Sequence, residues 1–430
     1  MRSTLKKCLL IAYNFPPRTG IGAQRPSKLA KYFPEFGWEP IVLTATLPGK
    51  PVDNLRIIET DYKDILASTK SLLGLHPHTS AHKQFSIRVS KDFAYTGWKS
   101  KAIKLSKDLI AFPDEQRGWY KYALRAAREF IDNERVDVIL STSTPVTSHR
   151  IARELKKAYQ IPWVADLRDL WTQNHFYNKC GFIRYFEKRL ELKTLALSDA
   201  LVTTTPGFAN KLDVLHKHKN IYCITNGFDP DDFAEAPEKV TNTFTITYTG
   251  ALYNGRRDPS FLFEALSMLM NGNKIDRKLL EVRFYGPHVD WLSDDIRKYD
   301  LHDTVKVYGD QLREKALEKQ KESQILLLLL DKNNYEEDVY PAKVFEYFGA
   351  GRPIVAMGGT GGAVKELLEK TRTGEFAADM NALKSILSKY YQQYITSGKV
   401  NCNSDRIIEN YTYKRLAQKY IDIFNEIVKK

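Results

Sequence analysis

The chain has 430 residues, of which 43% are hydrophobic and 27% are charged, and its formal net charge is +13. This length favours two globular domains. The lack of a long apolar run excludes a membrane-spanning helix, and the scattered positions of the cysteines exclude a disulfide framework. The positive charge favours an anionic partner, which is a phosphorylated substrate, a nucleic acid or an anionic membrane surface.

Strand-like apolar runs alternate with helical stretches along residues 1–225, which predicts an α/β domain with a parallel sheet and crossover helices. The predicted elements of this half are strands at 7–13, 39–44, 136–140, 162–165, 200–204 and 221–225, and helices at 23–36 and 119–132. Turn-forming and polar residues predict a linker at 226–243.

The pattern then restarts and predicts a second α/β domain at 244–410, followed by a helix within 411–430. The predicted elements here are strands at 245–249, 280–285, 304–308, 325–330 and 353–357, and helices at 259–271, 312–322, 343–350 and 413–428. Two doubly wound domains place a cleft between two sets of strand ends, and ligands of open parallel sheets bind at such ends.

In each predicted domain, a glycine-containing loop follows the first strand. Gly22 precedes a helix, where bare backbone and the helix N-terminus suit an anion, although a plain turn explains the same residues. Gly250 begins the corresponding loop of the second half, which also carries Arg256 and Arg257. Arginine pairs well with phosphate oxygens, so this loop is a candidate phosphate site.

Charged residues also follow the strand predicted at 162–165. Asp166 and Asp169 are candidate catalytic carboxylates that would face the cleft, orient substrate hydroxyls or take a proton. A local ion pair with Arg168 is the alternative. Arg168 itself and His149, early in the preceding helix, are candidate contacts for an acceptor substrate.

The densest group of candidate residues surrounds the helix predicted at 343–350. Asp338 and Glu346 are two acids separated by seven residues, and Lys343 lies in the first turn of the helix. Free N–H groups at a helix start attract an anion, and an acid one turn deeper can hold a pair of ligand hydroxyls. A solvated acidic face is the alternative.

Residues 338–356 resemble the E-x7-E signature of retaining glycosyltransferases with the GT-B fold, and the chain is similar to family 4 of that group. The resemblance to a subgroup tied to bacterial surface polysaccharides is carried by residues 162–172. Further similar segments are residues 13–25, 225–229, 248–257 and 284–287.

The resemblance implies two Rossmann-like domains facing each other across a cleft. The N-terminal domain at 1–225 would bind the acceptor, and the C-terminal domain at 244–410 would bind the nucleotide sugar. The C-terminal helix within 411–430 is expected to pack back toward the N-terminal domain.

The same resemblance assigns roles to individual residues. Glu346 matches the acid that contacts the ribose hydroxyls, and Asp338 stands where a glutamate contacts the donor sugar. Arg256 stands where the family has a phosphate-binding lysine, and Gly22 matches the glycine beside the diphosphate. Ala251 departs from the family, which often has an arginine there.

The implied reaction is transfer from a sugar linked to uridine or guanosine diphosphate, with retention at the anomeric carbon and without a metal or another cofactor. The acceptor would be a glycan or a lipid-linked sugar, in the synthesis of cell-surface polysaccharide. Arg256 and Lys343 would stabilise the leaving diphosphate.

Two other functions remain open at this stage. The first is a nucleotide-sugar epimerase of the same architecture, although the linker and phosphate loop match transferases better. The second is a non-catalytic scaffold that keeps the fold, a reading that the altered acid Asp338 leaves open. Nucleic-acid binding is not expected, because no recognition motif accompanies the positive charge.

Residues 88–110 form a basic amphipathic stretch. This pattern is typical of a helix that lies on an anionic membrane, and a helix packed on its own domain is the alternative. The expected location is the cytoplasm, including peripheral attachment to the inner face of the cell membrane.

Overall fold

A computed structural model describes residues 5–18, 20–50, 52, 54–65, 108–174, 177, 179–236, 239–333, 337–402, 404 and 406–429. The chain divides into two compact units, one formed by Met1–Ile224 with Ala417–Lys430 and the other by Thr225–Leu416. The basic stretch predicted at 88–110 lies outside the described residues, apart from residues 108–110.

The described part of the first unit contains a seven-stranded parallel sheet with the strand order β3-β2-β1-β4-β5-β6-β7. Its strands are β1 Lys6–Ile11, β2 Trp38–Ala45, β3 Arg56–Thr60, β4 Val138–Ser143, β5 Trp163–Leu167, β6 Ala200–Thr203 and β7 Ile221–Cys223. Its helices are α1 Ile21–Tyr32, α2 Tyr120–Asn133, α3 Thr147–Tyr159, α4 Gly181–Leu195 and α5 Pro206–Leu215.

The central strands of this sheet are buried on both faces, as expected where helices cover both sides of a parallel sheet. Every residue of β4 and β5 is buried. The edge strand β3 was not predicted, because Arg56–Thr60 is short and half exposed and carries two charges. The chain reverses its direction of travel across the sheet between β1 and β4, and such a switch point opens a crevice at the strand ends.

The second unit contains, in its described part, a six-stranded parallel sheet with the strand order β10-β9-β8-β11-β12-β13. Its strands are β8 Phe244–Thr249, β9 Leu280–Tyr285, β10 Val305–Gly309, β11 Ile325–Leu329, β12 Ile354–Met357 and β13 Gly374–Ala377. Its helices are α6 Ser260–Asn271, α7 Asp290–Lys298, α8 Arg313–Lys321, α9 Ala342–Ala350, α10 Gly362–Thr371 and α11 Met380–Ser397.

Strand β11 shows how an apolar run forms the centre of this unit. Ile325, Leu327 and Leu329 belong to one hydrophobic cluster, and Leu326 and Leu328 belong to another. Successive side chains of a strand point to opposite faces, so the two clusters lie on opposite sides of the sheet. Here the switch point lies between the neighbouring strands β8 and β11.

The last helix, α12 Tyr413–Val428, contributes its later turns to the first unit. The Phe424 ring packs edge-on against Phe33 and Trp38, with ring centroids 5.5 and 5.2 Å apart. Tyr420 is fully buried and contacts Arg25. The helix therefore completes the hydrophobic core on one side of the first sheet.

Over the described ranges, no helix combines the length and the apolar character that crossing a bilayer requires.

Candidate functional site

The predicted phosphate loop lies at the switch point of the second unit. Residues 250–257 follow β8, and Asp331 follows the neighbouring strand β11. Arg256 Nε donates to Asp331 Oδ2 at 2.5 Å, and Asp331 is 3% exposed as a side chain. This ion pair joins the two loops that flank the switch point and orients the Arg256 guanidinium.

Lys343 reaches the same loop from the first turn of α9. Its Nζ lies 4.0 Å from the centroid of the Tyr248 ring. Gly250 has a φ of +119°, and a Cβ built there would lie 2.7 Å from Lys343 Nζ. Glycine therefore permits both the backbone conformation and the close approach of the ammonium group to the loop.

Arg257 has a different environment from Arg256. It is 7% exposed, and its guanidinium lies 4.6 Å from the centroid of the Tyr253 ring. It also hydrogen-bonds the buried Tyr248 hydroxyl, whose pKa is raised because burial outweighs the opposing effect of Arg257. Arg257 thus packs the loop from inside, while Arg256 is one-third exposed at its edge.

Glu346 lies on α9 with 22% of its side chain exposed. Its Oε1 accepts a hydrogen bond of 3.2 Å from Arg313 Nη2, and Arg313 Nη1 lies 3.1 Å from Asp232 Oδ2. Arg313, at the first residue of α8, therefore holds Glu346 against the segment predicted as the linker. Asp338 is half buried in the turn before α9.

The second unit therefore brings together most of the predicted donor-binding residues. Arg256, Lys343 and the start of α9 surround the end of β8, and no acid lies in the first turn of α9. Cationic groups beside a helix N-terminus at a switch point are suited to a diphosphate. In the described part, no group of three or more His, Cys, Asp or Glu residues is arranged to hold a metal ion.

Arg168 organises the switch point of the first unit. Its Nε donates to Ser143 O at 2.5 Å, its Nη1 to Gly22 O at 2.6 Å and its Nη2 to Thr144 O at 3.3 Å. These carbonyls belong to the segments that follow β1 and end β4. Arg168 thus joins Gly22 to the β4 loop, and the neighbouring Asp169 is exposed.

Asp166 is not the cleft-facing carboxylate that we predicted. Strand β5 continues to Leu167, two residues beyond the predicted end, so Asp166 lies within the strand and is 1% exposed. Its carboxylate accepts hydrogen bonds from Arg25, Tyr420 and Thr142. Arg25 on α1 supplies the hydrogen-bonded ion pair of Asp166. Burial opposes ionisation of the carboxyl, but the nearby charges of Arg25 and Arg168 lower its pKa.

His149 is likewise interior and does not reach an open surface. It is 0% exposed, and its Nδ1 lies 2.8 Å from Ser141 Oγ, which accepts a hydrogen bond from Trp163 Nε1. Burial lowers the pKa of His149 to about 4, so the ring is neutral at pH 7. Its position on the buried face of α3 explains the difference from the prediction.

Sequence reasoning missed Arg313 and Asp331. Asp331 directly follows the apolar run of β11, and an acid at a strand end was a usable signal. Arg313 carried no such signal, because it is one of many basic residues and lies 33 positions from Glu346. Its partnership with Glu346 depends on the packing of α8 beside α9.

Comparisons with known proteins agree with this architecture. The sequence model of the family described as Glycosyltransferase Family 4 matches residues 27–232. No curated protein matches the sequence.

Several solved structures are similar along almost the whole chain. Sucrose-phosphate synthase from Thermosynechococcus elongatus is 13% identical, with 98% of each chain covered and a TM-score of 0.62. The Anabaena protein HepE in complex with UDP-glucose is 11% identical, with 98% of this chain and 99% of that chain covered and a TM-score of 0.57. The lipopolysaccharide outer core galactosyltransferase WaaB is 11% identical, with 98% of this chain and 100% of that chain covered and a TM-score of 0.57.

These likenesses confirm the predicted fold class and the family resemblance. Residues 27–232 therefore match the sequence model of family 4 glycosyltransferases, and the chain as a whole has the GT-B fold.

Proposed function

We propose that the protein is a retaining glycosyltransferase that uses a nucleoside-diphosphate sugar. The observation that carries the proposal is that Arg256 and Lys343 lie at the end of β8 and the start of α9 in the second unit, with Glu346 one turn further along α9. A carboxylate held by an arginine is suited to a ribose diol, and the two cations are suited to a diphosphate.

In the proposed reaction, the second unit contributes electrostatic stabilisation. Arg256, oriented by Asp331, and Lys343, above the Tyr248 ring, would lie beside the leaving diphosphate. Cations that are already oriented need little reorganisation as negative charge develops on the leaving group. The proposal requires neither a metal nor another cofactor.

The donor and the acceptor are proposed from the resemblance and the similar structures. A uridine or guanosine diphosphate sugar is the proposed donor, and HepE was solved with UDP-glucose. A glycan or lipid-linked sugar is the proposed acceptor, bound by the first unit, and WaaB acts in the lipopolysaccharide outer core. The proposed donor and the proposed acceptor together support a role in cell-surface polysaccharide synthesis.

The test is turnover with a panel of UDP- and GDP-linked sugars and lipid-linked acceptors, in the presence and absence of a metal chelator. We expect one donor to give a product that keeps the donor's anomeric configuration by proton NMR, with an unchanged rate in chelator. Glu346→Ala should abolish turnover, whereas Glu366→Ala, an exposed acid on α10, should retain it.

Three outcomes would contradict the proposal. An inverted product would exclude retention, and conversion of the nucleotide sugar to its epimer without acceptor product would favour the epimerase. Neither turnover nor donor binding across the panel would favour a non-catalytic scaffold.

A further inference from the structure

Tyr253, in the phosphate loop of the second unit, has an unusual backbone conformation. Its φ is +47°, in the left-handed region that an aromatic residue rarely adopts. Other described residues with a positive φ include Gln160 and Arg372, which end helices, where this conformation is common. Tyr253 instead begins the short 3₁₀ turn Tyr253–Gly255 of the loop, so a helix end does not explain its conformation.

Backbone hydrogen bonds of the loop hold Tyr253 in this conformation. Leu252 O accepts from the amides of Gly255 and Arg257, at 3.1 and 3.2 Å. Tyr253 O accepts from the Arg256 amide at 3.2 Å. Leu252 is 4% exposed and belongs to the hydrophobic core of the unit, which anchors the loop. A strained residue persists where the surrounding structure fixes it, and such residues cluster at ligand-binding sites.

The Tyr253 ring is also fixed, and half of the residue is exposed. The Arg257 guanidinium lies 4.6 Å from the ring centroid, and Tyr253 is 51% exposed. Arg257 is itself held by its hydrogen bond to the Tyr248 hydroxyl, which donates to Ala251 O at 2.8 Å. The ring is therefore a rigid aromatic surface, and its exposed part is available to a ligand.

The position of Tyr253 in the loop places this aromatic surface beside the proposed diphosphate. The Arg256 amide is hydrogen-bonded to Tyr253 O, and the Arg256 side chain is the proposed phosphate contact. The sugar of a nucleotide-sugar donor is bonded directly to the diphosphate, so it lies close to the same loop. A sugar ring presents C–H groups with partial positive charge, which complement the negative face of an aromatic ring.

We infer that the Tyr253 ring packs against the sugar of the nucleotide-sugar donor and contributes to the choice of that sugar. The inference rests on the proposed function, because the diphosphate fixes where the sugar lies. An aromatic contact of this kind strengthens binding about 3- to 10-fold. A ring that is already fixed loses little conformational freedom when the sugar binds.

Two other ligands fit Tyr253 less well. A nucleobase could also stack on the ring, but the base is bonded to the ribose, which the proposed function places at Glu346 on α9. The acceptor sugar is proposed to bind to the first unit, whereas Tyr253 belongs to the second.

The test is calorimetric titration of UDP, GDP and their conjugates with glucose, galactose, N-acetylglucosamine and mannose into the wild type and Tyr253→Ala. The relevant pair is the conjugate that the wild type binds most tightly and its free nucleotide. Tyr253→Ala should bind that conjugate about 3- to 10-fold more weakly, and the free nucleotide within about twofold of the wild type. Tyr253→Phe should bind both like the wild type, because it keeps the ring.

Two further variants separate a ligand contact from a structural role. Tyr253→Gly should weaken binding of the conjugate as Tyr253→Ala does, but without lowering the unfolding temperature, because glycine adopts a φ of +47° without strain. Tyr122→Ala removes a tyrosine that is 43% exposed on α2, and it should bind like the wild type.

Unchanged affinity for the conjugate in Tyr253→Ala would overturn the inference and leave the proposed function intact. An equal loss for the conjugate and the free nucleotide would also overturn it, because the ring would then contact the nucleotide. A clear fall of the unfolding temperature in Tyr253→Gly would show that the ring supports the loop instead of a ligand. Failure of the proposed function gives a different result, in which the wild type binds none of these compounds, and the inference would fall with it.

Discussion

At the scale of single residues, the first unit is organised around a buried ion pair. Arg25 Nε and Nη2 each lie 3.1 Å from an oxygen of Asp166, and both side chains are at most 2% exposed. Arg25 also donates to Ile224 O and to the Tyr420 hydroxyl. The pair therefore links α1, β5, the end of the first chain segment and α12.

Removing one partner of this pair should destabilise the fold. Asp166→Asn leaves a buried arginine without its counter-charge, and we expect the free energy of unfolding to fall by about 3–5 kcal/mol in urea denaturation. Asp169→Asn, at an exposed position nearby, should change it by less than about 0.5 kcal/mol. Equal effects at the two positions would contradict the structural role of Asp166.

His149 should make stability depend on pH. Its pKa is about 4 in the fold because the ring is buried, and 6.5 is its ordinary value, so the unfolded chain binds the extra proton between these limits. Stability should therefore fall as the pH drops from about 6.5 to about 4, by about 3 kcal/mol from this group. His149→Gln lacks this group, so the variant should lose less stability than the wild type as the pH falls from about 6.5 to about 4. The difference between their free energies of unfolding should therefore narrow or reverse over this range. A constant difference would contradict the buried neutral ring.

Arg313 should act on donor use through Glu346. Arg313→Met leaves Glu346 without its 3.2 Å partner, and we expect KM for the donor to rise about tenfold or more, with a smaller change in kcat. Arg313→Lys should recover part of the loss, because it keeps the charge. Arg297→Met, at an arginine that is 75% exposed on α7, is the control. An unchanged KM in Arg313→Met would exclude the positioning role.

At the scale of elements, apolar runs and helix signals predicted the bounds of helices and strands well where burial is uniform. Helix α9 was predicted at 343–350 and spans Ala342–Ala350, and strand β9 was predicted with its observed bounds. Strand β5 was predicted too short, because Asp166 looks like a strand end until its buried partner is known. A carboxylate inside a strand has no local signal, since its partner lies 141 residues away.

Helix α12 should be required for the stability of the first unit. Phe424 is fully buried against Phe33 and Trp38, so Phe424→Ala should cost about 3–5 kcal/mol. Hydrogen exchange should show faster exchange in β2, which carries Trp38. The exposed Val214→Ala on α5 is the control. Unchanged protection of β2 would show that the helix is dispensable for this core.

At the scale of the whole molecule, the two sheets repeat one scheme in which the strand order reverses beside the first strand of each unit. Sequence patterns predicted two α/β units and the loops that carry Gly22, Gly250 and Arg256. They did not predict strand order, nor that Arg168 binds loop carbonyls or that His149 is buried. Those features arise from side chains that meet only once the sheets form.

The most direct test of the account is calorimetric titration of UDP and GDP into the wild type, Glu346→Ala, Gly250→Ala and the control Glu366→Ala. We expect the wild type and Glu366→Ala to bind one of the two nucleotides with the same affinity. Glu346→Ala should bind it about 10- to 100-fold more weakly, because charge-assisted hydrogen bonds are lost. Gly250→Ala should also bind it more weakly, because its Cβ would displace Lys343. Equal affinities in all four proteins, or no binding of either nucleotide by the wild type, would contradict a donor site at the end of β8 and the start of α9.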